Sequence, residues 1–135
     1  MFILRPIQPI FRICGQSIRF NSTIGINSSR LYCFKLIRHR DRVSYNQHGL
    51  IPKFARDAHL VISALNIEMA LIPETVSNQR AREMRMQFWK DVVEDCFRGE
   101  PKAEQPISIL LAHVLSNGRT KLTKSFFQTM ISERV

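Results

Sequence analysis

The sequence predicts an all-α protein. Apolar residues recur three and four positions apart in successive segments, prolines and glycines punctuate those segments, and no stretch alternates apolar and polar residues with the period of two that a half-buried strand needs. The chain has 135 residues, 44% of them hydrophobic, enough for a core in one domain or part of one. No 20-residue apolar run is present. The longest apolar stretches, Leu60–Leu65 and Ile107–Leu115, are too short or carry polar residues.

About five helices are expected after residue 30. A short, charge-rich helix over Tyr32–Tyr45 carries a loose stripe of Leu31, Phe34, Leu36, Ile37 and Val43, and Gly49 and Pro52 then mark a turn. A second runs from Lys53 to Leu71 with Phe54, Ala58, Val61, Leu65 and Met69 on one face, and Pro73 is expected to end it. A third starts after Ser77, a candidate N-cap, and reaches Phe97. Its expected core stripe is Ala81, Met84, Phe88, Val92 and Cys96, with Arg85, Trp89 and Val93 beside it, and Gly99 and Pro101 stop it. A fourth opens on Pro106 at the first helical position, buries Ile107, Leu110, Leu111, Val114 and Leu115, and ends at Asn117-Gly118. A fifth begins near Thr120 or Thr123 and carries Leu122, Phe126, Phe127, Met130 and Ile131.

The formal charge of +9 is unevenly placed. Residues 1–40 hold seven basic residues and no acid, whereas residues 41–135 hold thirteen basic residues against eleven acids. The body is therefore nearly balanced and lacks the basic stripe of a nucleic-acid binder. Within residues 1–30, Arg5, Arg12 and Arg19 recur every seven residues, which places them within about 40° of arc on a helix. Apolar residues occupy most of the remaining circumference. An amphipathic, Arg-rich, acid-free segment is the pattern of a mitochondrial transit peptide. Residues 1–30 are thus expected to be a transit peptide and linker, with a processing site near Arg19–Thr23 and residues 21–30, rich in Asn, Ser, Thr and Gly, as the linker.

Cys14, Cys33 and Cys96 are odd in number and far apart, so neither a disulfide framework nor a zinc site is expected. They read as free thiols. His39, His48, His59 and His113 read as isolated structural residues, and no glycine-rich phosphate loop is present.

Three stretches resemble the squalene/phytoene synthase family. They are Tyr32-Cys33-Phe34-Lys35-Leu36-Ile37-Arg38 with Asp41-Arg42 and Tyr45, then Asn66-Ile67-Glu68-Met69-Ala70 with Glu74-Thr75-Val76-Ser77, then Met84-Arg85-Met86-Gln87-Phe88-Trp89-Lys90-Asp91. The second and third blocks are most similar to the non-catalytic mitochondrial branch of that family, whose members assist assembly of respiratory complex I. The resemblance spans about residues 31–135 and implies the N-terminal half of an isoprenoid-synthase-type helical bundle.

The family's enzymes hold Mg²⁺ and diphosphate through two Asp-x-x-x-Asp motifs, because two carboxylates one turn apart share a helix face and Mg²⁺ requires oxygen ligands. The first motif falls on Ala70–Glu74. Ala70 supplies no carboxylate, and Glu74 follows Pro73. The second motif has no counterpart in these residues. Asn66 and Glu68, two positions apart, face about 200° from each other and do not share one metal. The resemblance therefore implies no enzyme activity, no catalytic residue, no metal and no cofactor. Asn66, Glu68, Arg85, Gln87, Phe88 and Trp89 are expected to serve packing or partner contact. Arg80, Arg82 and Arg85 read as a solvated helix face or a surface for an acidic partner.

The function that the resemblance implies is that of a non-catalytic scaffold in early membrane-arm biogenesis of complex I. It would sit peripherally on the matrix side of the mitochondrial inner membrane, with membrane-arm subunits and other assembly factors as partners and no nucleic acid. The alternative is a prenyl-diphosphate transferase or its inactive fragment, which would need a carboxylate at position 70 and a second aspartate-rich helix.

Overall fold

A computed structural model describes residues 15–102 and 104–134, with side chains from residue 25 onward. Cys14 and the segment carrying Arg5 and Arg12 lie outside the described residues. The elements are α1 (Gly15–Arg40), α2 (Arg42–His48), a short 3₁₀ turn (Lys53–Ala55), α3 (Arg56–Thr75), α4 (Gln79–Phe97), α5 (Pro106–Asn117) and α6 (Lys124–Ser132). Among the described residues there is no strand, and no helix is long and apolar enough to cross a membrane.

The expected linker over residues 21–30 is instead helical, part of the 26-residue α1. Gly25, Ser29, Cys33 and Ile37 are spaced by four, so they share one face. Ser29, Cys33 and Ile37 are buried, and a Cβ built on Gly25 would lie 3.8 Å from Ile109 of α5. Small side chains let α1 approach α5 closely, and what reads as loop composition is a packing stripe. The expected helix over Tyr32–Tyr45 is correspondingly two helices. Asp41 separates them as the N-cap of α2: its carboxylate accepts hydrogen bonds from the Ser44 backbone N–H (3.0 Å) and Oγ (2.7 Å). These bonds favour the charged carboxylate and hold it below its usual pKa range.

Pro73 does not end α3, which continues to Thr75. A proline removes one backbone N–H and costs most in a helix interior. Here it lies in the last turn, and the carbonyls just before it are satisfied. Val76 N–H donates to Ile72 O (3.0 Å), and Thr75 Oγ donates to Leu71 O (2.9 Å). Asn78 rather than Ser77 caps α4, accepting from Ala81 N–H at 3.1 Å. Gly99 (φ 81°) and Gly118 (φ 67°) take the left-handed conformation that closes α4 and α5, and Thr123 caps α6.

The core is one cluster drawn from α1, α3, α4, α5 and α6. At its centre is α5, which lies against α1, α3 and α4, while α6 packs against α4. Ile107, Leu110, Leu111 and Val114 of α5 are all buried, each contributing about 1.5–3 kcal/mol relative to exposure. Ser108 is the buried polar residue of α5, and it is satisfied. Its Oγ accepts from the Lys102 backbone N–H (2.8 Å) and lies 3.3 Å from Cys96 Sγ.

The expected stripe of α4 is displaced. Its buried residues are Met86, Trp89, Val92, Val93 and Cys96, whereas Met84 is 67% and Phe88 36% exposed. Spacings of three and four fit either set, and only the position of α5 decides between them. Alanine substitution separates the two faces. Met86→Ala is expected to lower stability in urea unfolding by about 2–4 kcal/mol, because it removes a buried side chain. Met84→Ala is expected to change it by less than about 0.5 kcal/mol.

Candidate functional site

Of the recognised motif residues, Tyr32 and Cys33 on α1, Glu68 on α3 and Arg85 on α4 lie near enough for Glu68 to share charge interactions with them. Glu68 is half-buried. Its charge is felt by Tyr32 and Cys33 on α1, and it is itself attracted by Arg85 on α4. Burial pushes the Glu68 carboxyl above its usual range, and Arg85 pulls it only part of the way back. Tyr32 is raised by burial first and by Glu68 second. Cys33, a buried free thiol, is raised to about 12 by burial and then by Glu68. Cys96 is likewise free and buried and is raised to about 11 by burial, as expected for an unreactive core thiol.

The other motif residues do not converge on Glu68. Asn66, on another face of α3, accepts a hydrogen bond from the Arg134 guanidinium near the end of the described chain. Gln87 Nε2 donates to Asp91 Oδ1 (3.0 Å) one turn along the same helix. Trp89 is 2% exposed and belongs to the core, and Phe88 packs edge-on against it (centroids 5.3 Å, 76°) while remaining partly exposed. Trp89 therefore matches the core reading, and Phe88 only borders the core.

The degenerate motif is open to solvent. Ala70 and Glu74 are both exposed on α3, and Ala70 presents only a methyl group there. Nor is the neighbouring arginine cluster a single cationic face. Arg82 Nε donates to Val76 O (2.5 Å) and its Nη2 to Pro73 O (3.3 Å), capping the end of α3. Arg80 and Arg85 are both exposed, and the charge of Arg85 favours ionised Glu68 without an ion pair between them. Among the described residues no three His, Cys, Asp or Glu side chains converge on a point that could hold a metal. A lone exposed Glu74 beside an arginine already engaged by backbone carbonyls does not supply the oxygen cage that a Mg²⁺–diphosphate needs.

Two polar clusters went unanticipated. Arg30 of α1 grips Asp57 in the first turn of α3 with two parallel bonds, Nε to Oδ1 and Nη2 to Oδ2, both 2.9 Å. Nη1 of Arg30 also donates to Asn27 Oδ1 (2.9 Å), and His113 Nε2 of α5 lies 3.9 Å from Asp57 Oδ2. This cluster ties three helices together. Histidines expected to be isolated also pair: His48 and His59 stack with Nδ1 atoms 3.2 Å apart, so one ring donates and the other accepts. Burial lowers both. His48 is lowered further by His59 and Arg56 and partly restored by Asp57, and His59 is partly restored by Asp41. Contacts between residues 11 to 56 positions apart, from His48–His59 to Asp57–His113, leave no local signal. The one available hint was an acid in the first turn of α3, where the helix dipole favours it.

The chain matches the squalene/phytoene synthase family over residues 37–134. It is 35% identical over 120 residues to "NADH dehydrogenase (ubiquinone) complex I, assembly factor 6" of Bos taurus, covering 89% of this chain and 35% of that one. To the protein of the same name in Homo sapiens it is 34% identical over 122 residues (90% and 36%). A homolog in Dictyostelium discoideum is 28% identical over 114 residues (84% and 31%). The chain thus spans about a third of the length of the curated relatives it matches. No solved structure matches it significantly.

Glu68 makes a test that uses pH. A carboxyl raised in the folded state binds its proton more tightly there than when unfolded. Its charge therefore costs stability that is recovered in acid and reappears as pH rises through the folded pKa. Glu68→Gln is expected to match the wild type near pH 4 and to gain on it progressively as pH climbs above 4.5, in denaturant titrations from pH 4 to 7. A wild type that gains on the variant over the same window would mean that attraction to Arg85 outweighs burial.

Proposed function

The chain belongs to the squalene/phytoene synthase family, and from that premise we propose that it acts as a non-catalytic scaffold in assembly of mitochondrial respiratory complex I, in early biogenesis of the membrane arm. The observation that carries the reading is the exposed Ala70–Glu74 turn. The position where a catalytic relative needs its first carboxylate holds a methyl group, and the adjacent Arg82 is engaged in capping α3. The names of the relatives, each a complex I assembly factor, support the same reading. Glu68, Arg85 and the exposed Met84 and Phe88 are the residues proposed for partner contact, with Asn66, Gln87 and Trp89 in packing roles.

The acid-free N-terminus supports import into mitochondria, where residues 1–30 contain the address and a cut near Arg19–Thr23 would leave the packed stripe beginning at Gly25 intact. Peripheral association with the matrix face of the inner membrane is part of the proposal, as are membrane-arm subunits and other assembly factors as partners. The prenyl-transferase alternative is disfavoured by the missing carboxylate, and no cofactor is proposed.

Removing the chain from its own cells is expected to lower assembled complex I on native gels, and re-expression is expected to restore it. Re-expression of Glu74→Ala is expected to restore it equally well, because the remaining carboxylate of the motif has no catalytic task. Failure of Glu74→Ala alone would return the enzyme reading to consideration.

A further inference from the structure

Of the large apolar side chains left exposed, Leu31, Val43, Leu50 and Phe54 fall within a short run of sequence, and Leu50 is 84% exposed. Val43 and Leu50 are seven residues apart, hence nearly in line on the helical turn that α2 continues through Leu50 N–H to Gln47 O (2.9 Å) and Ile51 N–H to His48 O (3.2 Å). The loop that follows is held in place. Arg56 Nε donates to Ile51 O (3.0 Å) and Nη2 to Gly49 O (3.3 Å), and Ala55 N–H donates to Pro52 O (2.9 Å). Leu50 and Phe54 are therefore presented to solvent by a built loop.

Around them the unpaired charge is cationic. Arg38, Arg40, Arg42 and Lys53 are exposed, and none forms an ion pair among the described residues. Two acids lie nearby: Asp41, whose carboxylate is occupied by Ser44, and Asp57, which lines the same cleft as Lys53 and is held by Arg30 through two parallel bonds. Leu31 and Lys53 further share the rim of an open cleft of about 520 Å³ between α1 and α3. The other exposed apolar pair, Met84 and Phe88, lies among charges of both signs (Glu83, Arg85, Lys90, Asp91).

We propose that the face formed by the C-terminal part of α1, α2 and the 49–54 loop is a membrane-docking surface. In it Leu50 and Phe54 enter the headgroup region of an anionic bilayer, and Arg40, Arg42 and Lys53 pair with lipid phosphates. Charge complementarity selects the occupant: apolar tips with a cationic collar match an anionic lipid surface. The inference rests on the inner-membrane reading above and adds the surface and the lipid class to it.

The test is flotation of the full chain with vesicles of phosphatidylcholine alone or with 30% phosphatidylglycerol. Binding is expected on the anionic vesicles only, to weaken as salt rises, and to fall at least about tenfold in Leu50→Asp/Phe54→Asp and in Arg42→Glu/Lys53→Glu. Met84→Asp/Phe88→Asp is expected to bind as the wild type does. The N-terminal segment is the same in every variant, so any binding through it is a constant background. All these positions are exposed, and circular dichroism melts identify any variant that misfolds. For such a case, Leu50→Trp gives an independent reading: its emission is expected to be quenched by brominated acyl chains, while Trp89, 2% exposed, stays unquenched. Binding that is equal on neutral vesicles, that survives the Leu50/Phe54 substitutions, or that leaves Leu50→Trp unquenched overturns the proposal. If those results arise while loss of the chain still lowers complex I, this surface fails and the assembly reading stands. If flotation behaves as expected while loss of the chain leaves complex I intact, the assembly reading fails instead.

Discussion

Burial of α5 is the constraint on which the rest of this structure depends. Twelve residues, Pro106–Asn117, carry apolar side chains around most of their circumference, so the helix has to be walled on several sides. Three helices supply the walls: α1, α3 and α4 each pack against it. Its one buried hydroxyl, on Ser108, would be costly if left without a partner. The Lys102 backbone N–H, from the segment that enters α5, and the Cys96 thiol, from the last turn of α4, satisfy it. Asp95 reinforces that entry by pairing with Lys102 (3.1 Å) and Arg98. Position, polarity and loop chemistry are thus all fixed by what one apolar helix requires.

The same constraint explains α1. A helix that crosses α5 closely needs small residues at the crossing, and Gly25, Ser29 and Cys33 provide them at intervals of four. The Arg30–Asp57 pair then sets the rotation of α1 against α3, because a planar guanidinium meeting a carboxylate through two parallel bonds tolerates little twist. His113 of α5 beside Asp57 brings the third helix into the same cluster. The cluster is partly solvated, so its value lies more in orientation than in energy.

Helix identity was legible in the sequence wherever periodicity and punctuation agreed. Pro106, Gly99, Gly118 and the stripe Ile107, Leu110, Leu111, Val114 lie as their spacing predicts. Three features were not legible, each for a physical reason. Residues 21–30 carry the Asn, Ser, Thr and Gly of a linker, yet small residues also line close helix crossings, and composition does not separate the two. On α4, Met84/Phe88 and Met86/Trp89/Val93 are both at helical spacing, so the buried face depends on where α5 lies. The pairs Arg30–Asp57 and His48–His59 join distant positions and have no local signature. At the candidate site, that position 70 carries no carboxylate was readable from one residue. The engagement of Arg82 by the end of α3, and the half-burial of Glu68 between α1 and α4, were not.

The functional account follows from what this arrangement retains and lacks. The described residues are all-α, and the Ala70–Glu74 stretch proposed as the counterpart of the Mg²⁺–diphosphate motif is exposed, holds one carboxylate and lies near an arginine committed to backbone. A thermal melt of the full chain with Mg²⁺ and a prenyl diphosphate tests this most directly. A site that bound the pair would stabilise the fold by about 2.7 kcal/mol at a hundredfold excess over its Kd, a shift of several degrees. The account predicts a cooperative melt whose midpoint does not move. A midpoint that rises only when metal and diphosphate are both present would contradict it.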